Sequence, residues 1–193
     1  VISVDLDWDI EVIVVRTDKE TNYEEKLKKK IRTSGCAVGT MFADVMDIFD
    51  KIVLNKKVKF HTSWLIDLLK KVNTQPSLYL KAGAIHACVL CEKNQPIIYV
   101  EDVGRHNAID KIAGWLWYNS RNMDNLVLYT TGRLTSEMVI KTVQMNISVL
   151  ISRSGFTAAG VDLAKKSNLT LIGRAKGKRF VALAGLERII YDK

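Results

Sequence analysis

The residues best suited to bind an anion follow four apolar runs of the sequence. The runs cover 97–100, 126–129, 149–151 and 169–172, and the segment after each contains a glycine and at least one arginine. Those arginines include Arg105, Arg133 and Arg153. Arginine binds phosphate through two parallel charge-assisted hydrogen bonds, and the N-terminus of a helix adds free N–H groups. The four segments therefore predict a pocket for a ligand with several phosphates.

The fourth segment is the most basic of the four. It consists of Arg174, Ala175, Lys176, Gly177, Lys178 and Arg179. These residues are candidate phosphate ligands, but they also fit the solvent-exposed turn of a hairpin, because residues 179–183 have the composition of a further strand. In the first segment, His106 follows Arg105 directly and belongs either to the pocket or to a helix cap.

Cys36 is the candidate nucleophile. It lies among small residues, between Gly35 and Gly39, and shortly after the lysines of residues 28–30. Nearby cations stabilise a thiolate, which is the reactive form of cysteine. A loop of small residues would let the sulfur reach two different partners. The alternative is that Cys36 is only a small residue in a turn.

His86, Cys88 and Cys91 form the pattern H-x-C-x-x-C, which could hold a soft metal such as zinc. The zinc deaminases of nucleobases use H-x-E, in which the glutamate transfers protons. Here cysteine replaces that glutamate, so the proton-transfer group is absent. We therefore expect no metal and interpret Cys88 and Cys91 as small residues that fill the core.

The elements that position these residues alternate between strand and helix patterns. Helical stretches at about 107–118, 135–145 and 157–166 separate the four apolar runs, and Leu65, Leu68, Leu69 and Val72 have the spacing of an earlier helix. Such alternation predicts βαβ units on a mostly parallel or mixed sheet. Ligands of such sheets bind beyond the carboxyl ends of the strands, where the four segments would meet.

Composition and charge narrow the classes of function. The chain has 193 residues and a net charge of +8, so an anionic partner is expected: a nucleic acid, an acidic protein or a phosphorylated cofactor. Basic and aromatic residues do not interleave as in proteins that stack nucleobases, which argues against nucleic acid. No apolar run approaches the roughly 18 residues that span a membrane, and no signal peptide is visible. We therefore predict a cytoplasmic protein without a membrane partner.

Two strings of the sequence resemble the FdhD family, the formate dehydrogenase accessory sulfurtransferases. The first extends from Ala82 to Ala87 as AGAIHA, and the second from Val100 to Lys111 as VEDVGRHNAIDK. The similarity extends from about Thr33 to the end of the chain and is weaker before it. Because family members have more chain before the point where this one starts, we expect part of an N-terminal lobe to be absent.

The resemblance implies a three-layer α/β fold similar to the cytidine deaminases, without their zinc chemistry. It places an N-terminal lobe with the reactive-cysteine loop in 1–58 and the deaminase-like domain in 59–193. It also implies an activity, in which a cysteine desulfurase loads sulfur as a persulfide on Cys36. The sulfur then passes to the molybdenum of bis-molybdopterin guanine dinucleotide, which serves formate dehydrogenase. The guanine nucleotide site corresponds to residues 174–179.

One departure from the family pattern concerns the cysteine loop. Many relatives carry C-x-x-C there, whereas this chain has Cys36, Ala37, Val38 and Gly39. A relay between two cysteines of the loop is therefore impossible, although a persulfide needs only one thiol. The alternative function is a cofactor-binding chaperone without sulfur chemistry. The sequence does not fix the oligomeric state, and a homodimer is one of the states open to it.

Overall fold

The computed structural model describes residues 1–18, 30–33, 39–42, 46, 48–119 and 125–192. The chain divides into two compact units, 1–44 and 45–193. The first unit contains two antiparallel strand pairs, β1 (Ser3–Asp7) with β2 (Val12–Arg16) and β3 (Lys30–Thr33) with β4 (Gly39–Phe42). Cys36 falls between β3 and β4 in the sequence and lies outside the described residues.

The second unit is built on a six-stranded mixed sheet. Its strands are β6 (His86–Glu92), β7 (Gln95–Asp102), β8 (Leu126–Thr130), β9 (Val149–Ser152), β10 (Thr170–Lys176) and β11 (Arg179–Ala184). Their order is β11-β10-β9-β8-β6-β7. The pairs β8–β9 and β9–β10 are parallel, and the other neighbours are antiparallel. The mixed α/β fold expected from the sequence is thus confirmed.

Three helices connect the strands that point the same way. They are α3 (Arg105–Tyr118), α4 (Ser136–Gln144) and α5 (Ala158–Lys166), numbered after two helices that precede the sheet, α1 (Thr62–Thr74) and α2 (Leu78–Ala82). Each of the three connections moves in the same direction across the sheet. Because such crossovers are right-handed, α3, α4 and α5 all pack on one face.

Helix α1 covers the opposite face and completes three layers. Its buried residues are Leu65, Leu68, Leu69 and Val72, as the helical spacing predicted. They pack in one core cluster with Val89 of β6, Tyr129 of β8 and Ile151 of β9. Residues 45–58 belong to this unit, and Phe49, Leu54 and Val58 are buried in it.

A buried arginine fixes the C-terminal segment of the second unit. Arg188 is fully buried, and its guanidinium donates to the carbonyl oxygen of Asn55 from Nε (3.1 Å) and Nη2 (3.0 Å) and to that of Asn168 from Nη1 (2.6 Å). The next residues form β12 (Ile189–Ile190), which pairs in parallel with β5 (Phe60–His61). The contacts with Asn55 and with β5 join parts of the chain that are more than a hundred residues apart.

Candidate functional site

The four segments predicted to bind phosphate lie at one edge of the sheet. Strands β7, β8, β9 and β10 share one direction, because β6 is antiparallel to both of its neighbours and the pairs β8–β9 and β9–β10 are parallel. Backbone hydrogen bonds hold adjacent segments together: the N–H of Arg153 donates to the Thr130 carbonyl (3.4 Å), and that of Arg174 to the Ser154 carbonyl (2.7 Å). The edge is therefore a connected surface.

The carboxylates of the first segment are occupied by local contacts. Asp102 accepts from the Gly104 N–H (2.9 Å) and Asn107 Nδ2 (3.1 Å), and it pairs with Lys111 Nζ (2.8 Å). The Lys111 contact first, and then the backbone bond, lower the pKa of Asp102 to about 2. Glu101 accepts from the N–H groups of the first turn of α2. Glu101 therefore holds the N-terminus of α2, and Asp102 holds the turn that precedes α3.

Arg105 lies directly over Gly132. A Cβ atom at Gly132 would come within 2.9 Å of Arg105 Cβ and 3.2 Å of its Cδ, so only glycine leaves room for this side chain. Burial first, and then the charges of Arg105 and Arg133, lower the pKa of His86. Two arginines that the sequence predicted therefore act electrostatically on His86, which the sequence analysis placed in a rejected metal pattern.

His106 connects the first turns of α3 and α4. Its Nε2 lies 2.7 Å from Glu137 Oε2, close enough for an ion pair, although the ring N–H does not point along a hydrogen bond. Burial lowers the pKa of His106, and Glu137 opposes that effect. The first turn of α3 has no side-chain cap, and His106 contacts Glu137 of the next helix.

Arg153 lies on the side of the sheet that carries α1. Its guanidinium is 5.4 Å from the centre of the Tyr79 ring, in the geometry of a cation–π contact. Its charge also acts on Tyr129, whose pKa is raised chiefly by burial. Arg153 is therefore held by an aromatic neighbour. Tyr79 carries no sequence signal for this role.

The basic segment 174–179 is the turn of the hairpin between β10 and β11. Lys176 pairs with Arg179 across it, and Gly177 has a φ of 57°, which favours glycine. Ala175 is buried in the core, so only its backbone can face a ligand. The four cationic side chains, Arg174, Lys176, Lys178 and Arg179, are exposed. The hairpin therefore presents a strongly positive surface.

Cys88 and Cys91 are free thiols of the core. Both are fully buried, and burial raises the pKa of each to about 12. Cys88 Sγ donates to Thr130 Oγ1 (3.4 Å), whereas Cys91 packs with the cluster beneath α1. The two therefore face opposite sides of β6 and cannot bind one ion together with His86. Within the described residues, no three His, Cys, Asp or Glu side chains are placed to hold a metal.

Comparison with known proteins gives one consistent family. The model of the FdhD/NarQ family matches residues 1–190. The sulfur carrier protein FdhD of Listeria innocua is 30% identical over 135 residues, which cover 70% of this chain and 52% of that protein. The sulfur carrier protein FdhD of Wolinella succinogenes is 29% identical over 182 residues, covering 89% and 63%. The chain thus spans between half and two thirds of the length of these relatives.

A solved structure supports the same assignment. The crystal structure of a candidate formate dehydrogenase accessory protein from Desulfotalea psychrophila superposes with a TM-score of 0.68 at 26% sequence identity. The match covers 88% of this chain and 74% of that one. Among the described residues, no helix is long and apolar enough to cross a membrane.

Proposed function

Because the chain belongs to the FdhD/NarQ family, we propose that it is a cytoplasmic sulfur carrier that serves formate dehydrogenase. In this proposal a cysteine desulfurase supplies the sulfur, and the acceptor is the molybdenum of bis-molybdopterin guanine dinucleotide. The observation that carries the proposal is the match of the FdhD/NarQ family model over residues 1–190, together with the similarity to relatives that are named sulfur carrier proteins.

The burial of two cysteines supports Cys36 as the carrier. A persulfide forms when a thiolate attacks the outer sulfur of the donor's persulfide and the donor thiolate leaves. Cys88 and Cys91 are poor candidates, since both are fully buried and their pKa values are raised to about 12. Of the three cysteines in the sequence, Cys36 alone remains. We propose that it holds the sulfur and then passes it to the bound cofactor.

The basic edge of the sheet supports the proposed binding of the dinucleotide cofactor. The four exposed cations of the hairpin 174–179 suit the pyrophosphate of a guanine dinucleotide. We propose that the nucleotide binds this hairpin, and that Arg153, Arg133, Arg105 and His106 extend the binding surface along the edge. Cofactor and sulfur carrier would then be held by one protein.

Mass spectrometry after incubation with a cysteine desulfurase and cysteine tests the proposal. The wild-type protein should gain the mass of one sulfur, about 32 Da, on the peptide that contains Cys36, since only its thiolate is expected to be reactive at neutral pH. Cys36→Ala should gain none and should leave the dehydrogenase inactive. Cys88→Ala and Cys91→Ala serve as matched controls and should still be labelled.

Two results would contradict the mechanism. Sulfur on the peptide of Cys88 or Cys91 would identify a cysteine of the core as the sulfur carrier. Full dehydrogenase activity with Cys36→Ala would show that sulfur transfer through Cys36 is not required, and it would favour a chaperone that only delivers the cofactor.

A further inference from the structure

A basic stretch of the second unit lies outside the edge that is assigned to the cofactor. Segment 48–59 contains four lysines and a single acid, Asp50. Most of the segment is irregular, but the side chains of Phe49, Leu54 and Val58 are buried and hold it against the unit. Between these anchors the lysines are exposed, and they are Lys51, Lys56, Lys57 and Lys59.

Two other parts of the chain adjoin this segment. Lys166, at the end of α5, pairs with Asp50, and its Nζ lies 2.8 Å from Oδ1 of that residue. Lys59 donates from Nζ to the carbonyl oxygen of Glu187 (3.1 Å), which lies in the 3₁₀ turn Leu186–Arg188. The segment, the end of α5 and this turn therefore form one surface, which we call the lysine surface.

The lysine surface and the hairpin 174–179 lie at opposite ends of β10. Arg188 donates to the carbonyl oxygen of Asn168, two residues before β10 begins, whereas the hairpin starts within the last residues of that strand. Strand β10 has seven residues, so its ends are separated by roughly 20 Å at about 3.3 Å per residue. None of the residues assigned to the cofactor belongs to the lysine surface.

Positive charge dominates the lysine surface. The carboxylate of Asp50 is paired with Lys166, and that of Glu187 lies 3.3 Å from Nη1 of the buried Arg188. Within the described part of the chain, no carboxylate lies at ion-pair distance from the remaining lysines, which are Lys51, Lys56, Lys57, Lys59 and Lys165. A group of cations on one surface attracts an anionic partner and repels a basic one.

Aliphatic side chains are exposed among these lysines. Val53 is 80% exposed, and Ile48 and Leu186 are each 53% exposed. The segments that carry Val53 and Leu186 are in contact, because the carbonyl oxygen of Asn55 accepts from the guanidinium of Arg188. Exposed apolar side chains with a charged rim are typical of sites that bind other proteins.

We propose that the lysine surface docks an acidic segment of a partner protein, one that carries aliphatic side chains among its carboxylates. The carboxylates would meet the lysines, and the aliphatic side chains would cover Val53 and Leu186. A lipid surface suits it less well, because residues 50–59 form no amphipathic helix that could lie in a bilayer interface. The proposal goes beyond sulfur transfer, since it involves neither Cys36 nor the cofactor edge.

NMR of the full chain with isotope-labelled backbone amides tests the proposal. The probe is a short synthetic peptide in which glutamates flank two leucines, and its control is the same peptide with serines in place of the leucines. The leucine peptide should shift the amide signals of Val53, Lys57 and Leu186 saturably, because these residues would contact it. The serine peptide has the same charge and should bind about threefold more weakly, since it lacks the apolar contact.

Charge reversal separates the lysine surface from the general basicity of the chain. Lys56→Glu combined with Lys57→Glu should weaken binding of the leucine peptide about tenfold, because two attractions become repulsions. The matched control is Lys176→Glu combined with Lys178→Glu, which makes the same change of charge on the hairpin. Because the hairpin is more than a Debye length of about 8 Å away, the control should change peptide binding by no more than about twofold.

The apolar contact has its own pair of variants. Val53→Ser should weaken binding of the leucine peptide about threefold without any change of charge, because part of the buried apolar area is lost. The matched control is Val103→Ser, at a position that is 79% exposed and outside the lysine surface. It should leave peptide binding unchanged.

The proposal is overturned if the two charge-reversed double variants weaken peptide binding equally, because the peptide would then respond only to net charge. Val53→Ser that binds the peptide as tightly as the wild type would refute it too, as would amide shifts confined to the hairpin 174–179. Vesicles of anionic phospholipid are the last probe. Vesicle binding that Lys56→Glu with Lys57→Glu abolishes, without any binding of the peptide, would identify a lipid surface and reject the protein partner.

Discussion

The cysteines should react with a chromogenic aromatic disulfide in two separate phases. Burial raises the pKa of Cys88 and Cys91 to about 12. At pH 8 a thiol of pKa about 12 is ionised in about one molecule in 10⁴, compared with about one in four for a free thiol of pKa about 8.5. The greater nucleophilicity of the more basic thiolate recovers about 40-fold of this difference, which leaves reaction about 60-fold slower.

Burial slows the reaction beyond this difference of about 60-fold, because both side chains are fully buried and the reagent can reach them only after local opening of the structure. Absorbance should therefore rise by one equivalent quickly and by two equivalents slowly, with all three fast in denaturant. The fast phase should disappear in Cys36→Ser and persist in Cys88→Ala and Cys91→Ala. A fast phase that survives in Cys36→Ser would refute the assignment of the core thiols as unreactive.

Three further outcomes can be measured on the same protein. Calorimetry should show saturable binding of GDP, which the combined variant Lys176→Ala and Arg179→Ala should weaken, since each charge-assisted bond contributes about 1.5–3 kcal/mol; equal affinity would place the nucleotide elsewhere. In chemical denaturation, Gly173→Ala should lower the free energy of unfolding by about 1–3 kcal/mol, because its Cβ would lie 2.5 Å from an aromatic ring. Gly114→Ala is the matched control and should raise the free energy of unfolding by about 0.5–1 kcal/mol, because Gly114 lies in a helix with open space around it. The pKa of Asp192 is lowered from 3.8 to about 2, chiefly by its contact with a histidine, so its contribution to stability is present above about pH 4 and lost as the pH falls toward 2. Asp192→Asn should therefore reduce the fall in stability between about pH 4 and about pH 2. If stability falls as steeply in the variant as in the wild type, Asp192 does not make this contribution.

Local periodicity in the sequence predicted the helices and the shared edge well. The buried side of α1 follows directly from the spacing of its leucines, since a helix repeats every 3.6 residues. Strand β6 was missed, although five of its seven residues are buried. It is joined to β7 by a tight turn in which Lys93 has a φ of 55°, a position where glycine or asparagine would have signalled a hairpin. Insertion of β6 between β7 and β8 also made the sheet mixed.

The grouping at the edge could be predicted only in part. Arginine after each strand was visible, but the effect of two of these arginines on His86 and the contact of Arg153 with Tyr79 depend on the folded arrangement. His86 and Gly132 carry no local pattern, because their roles arise from contacts with residues distant in sequence. The contact of His106 with Glu137 could not be predicted either, because the two residues lie in different helices.

The burial of Arg188 and the pairing of β12 with β5 also have a consequence during synthesis on the ribosome. Ile189 pairs with Phe60, so the strand that begins this unit waits, unpaired, for a partner translated more than a hundred residues later. Such distant closure carries a high entropic cost and is expected late in folding. Until Arg188 arrives, the carbonyl groups of Asn55 and Asn168 lack their donor. The domain is therefore expected to complete this pairing only after residues 188–190 have left the exit tunnel.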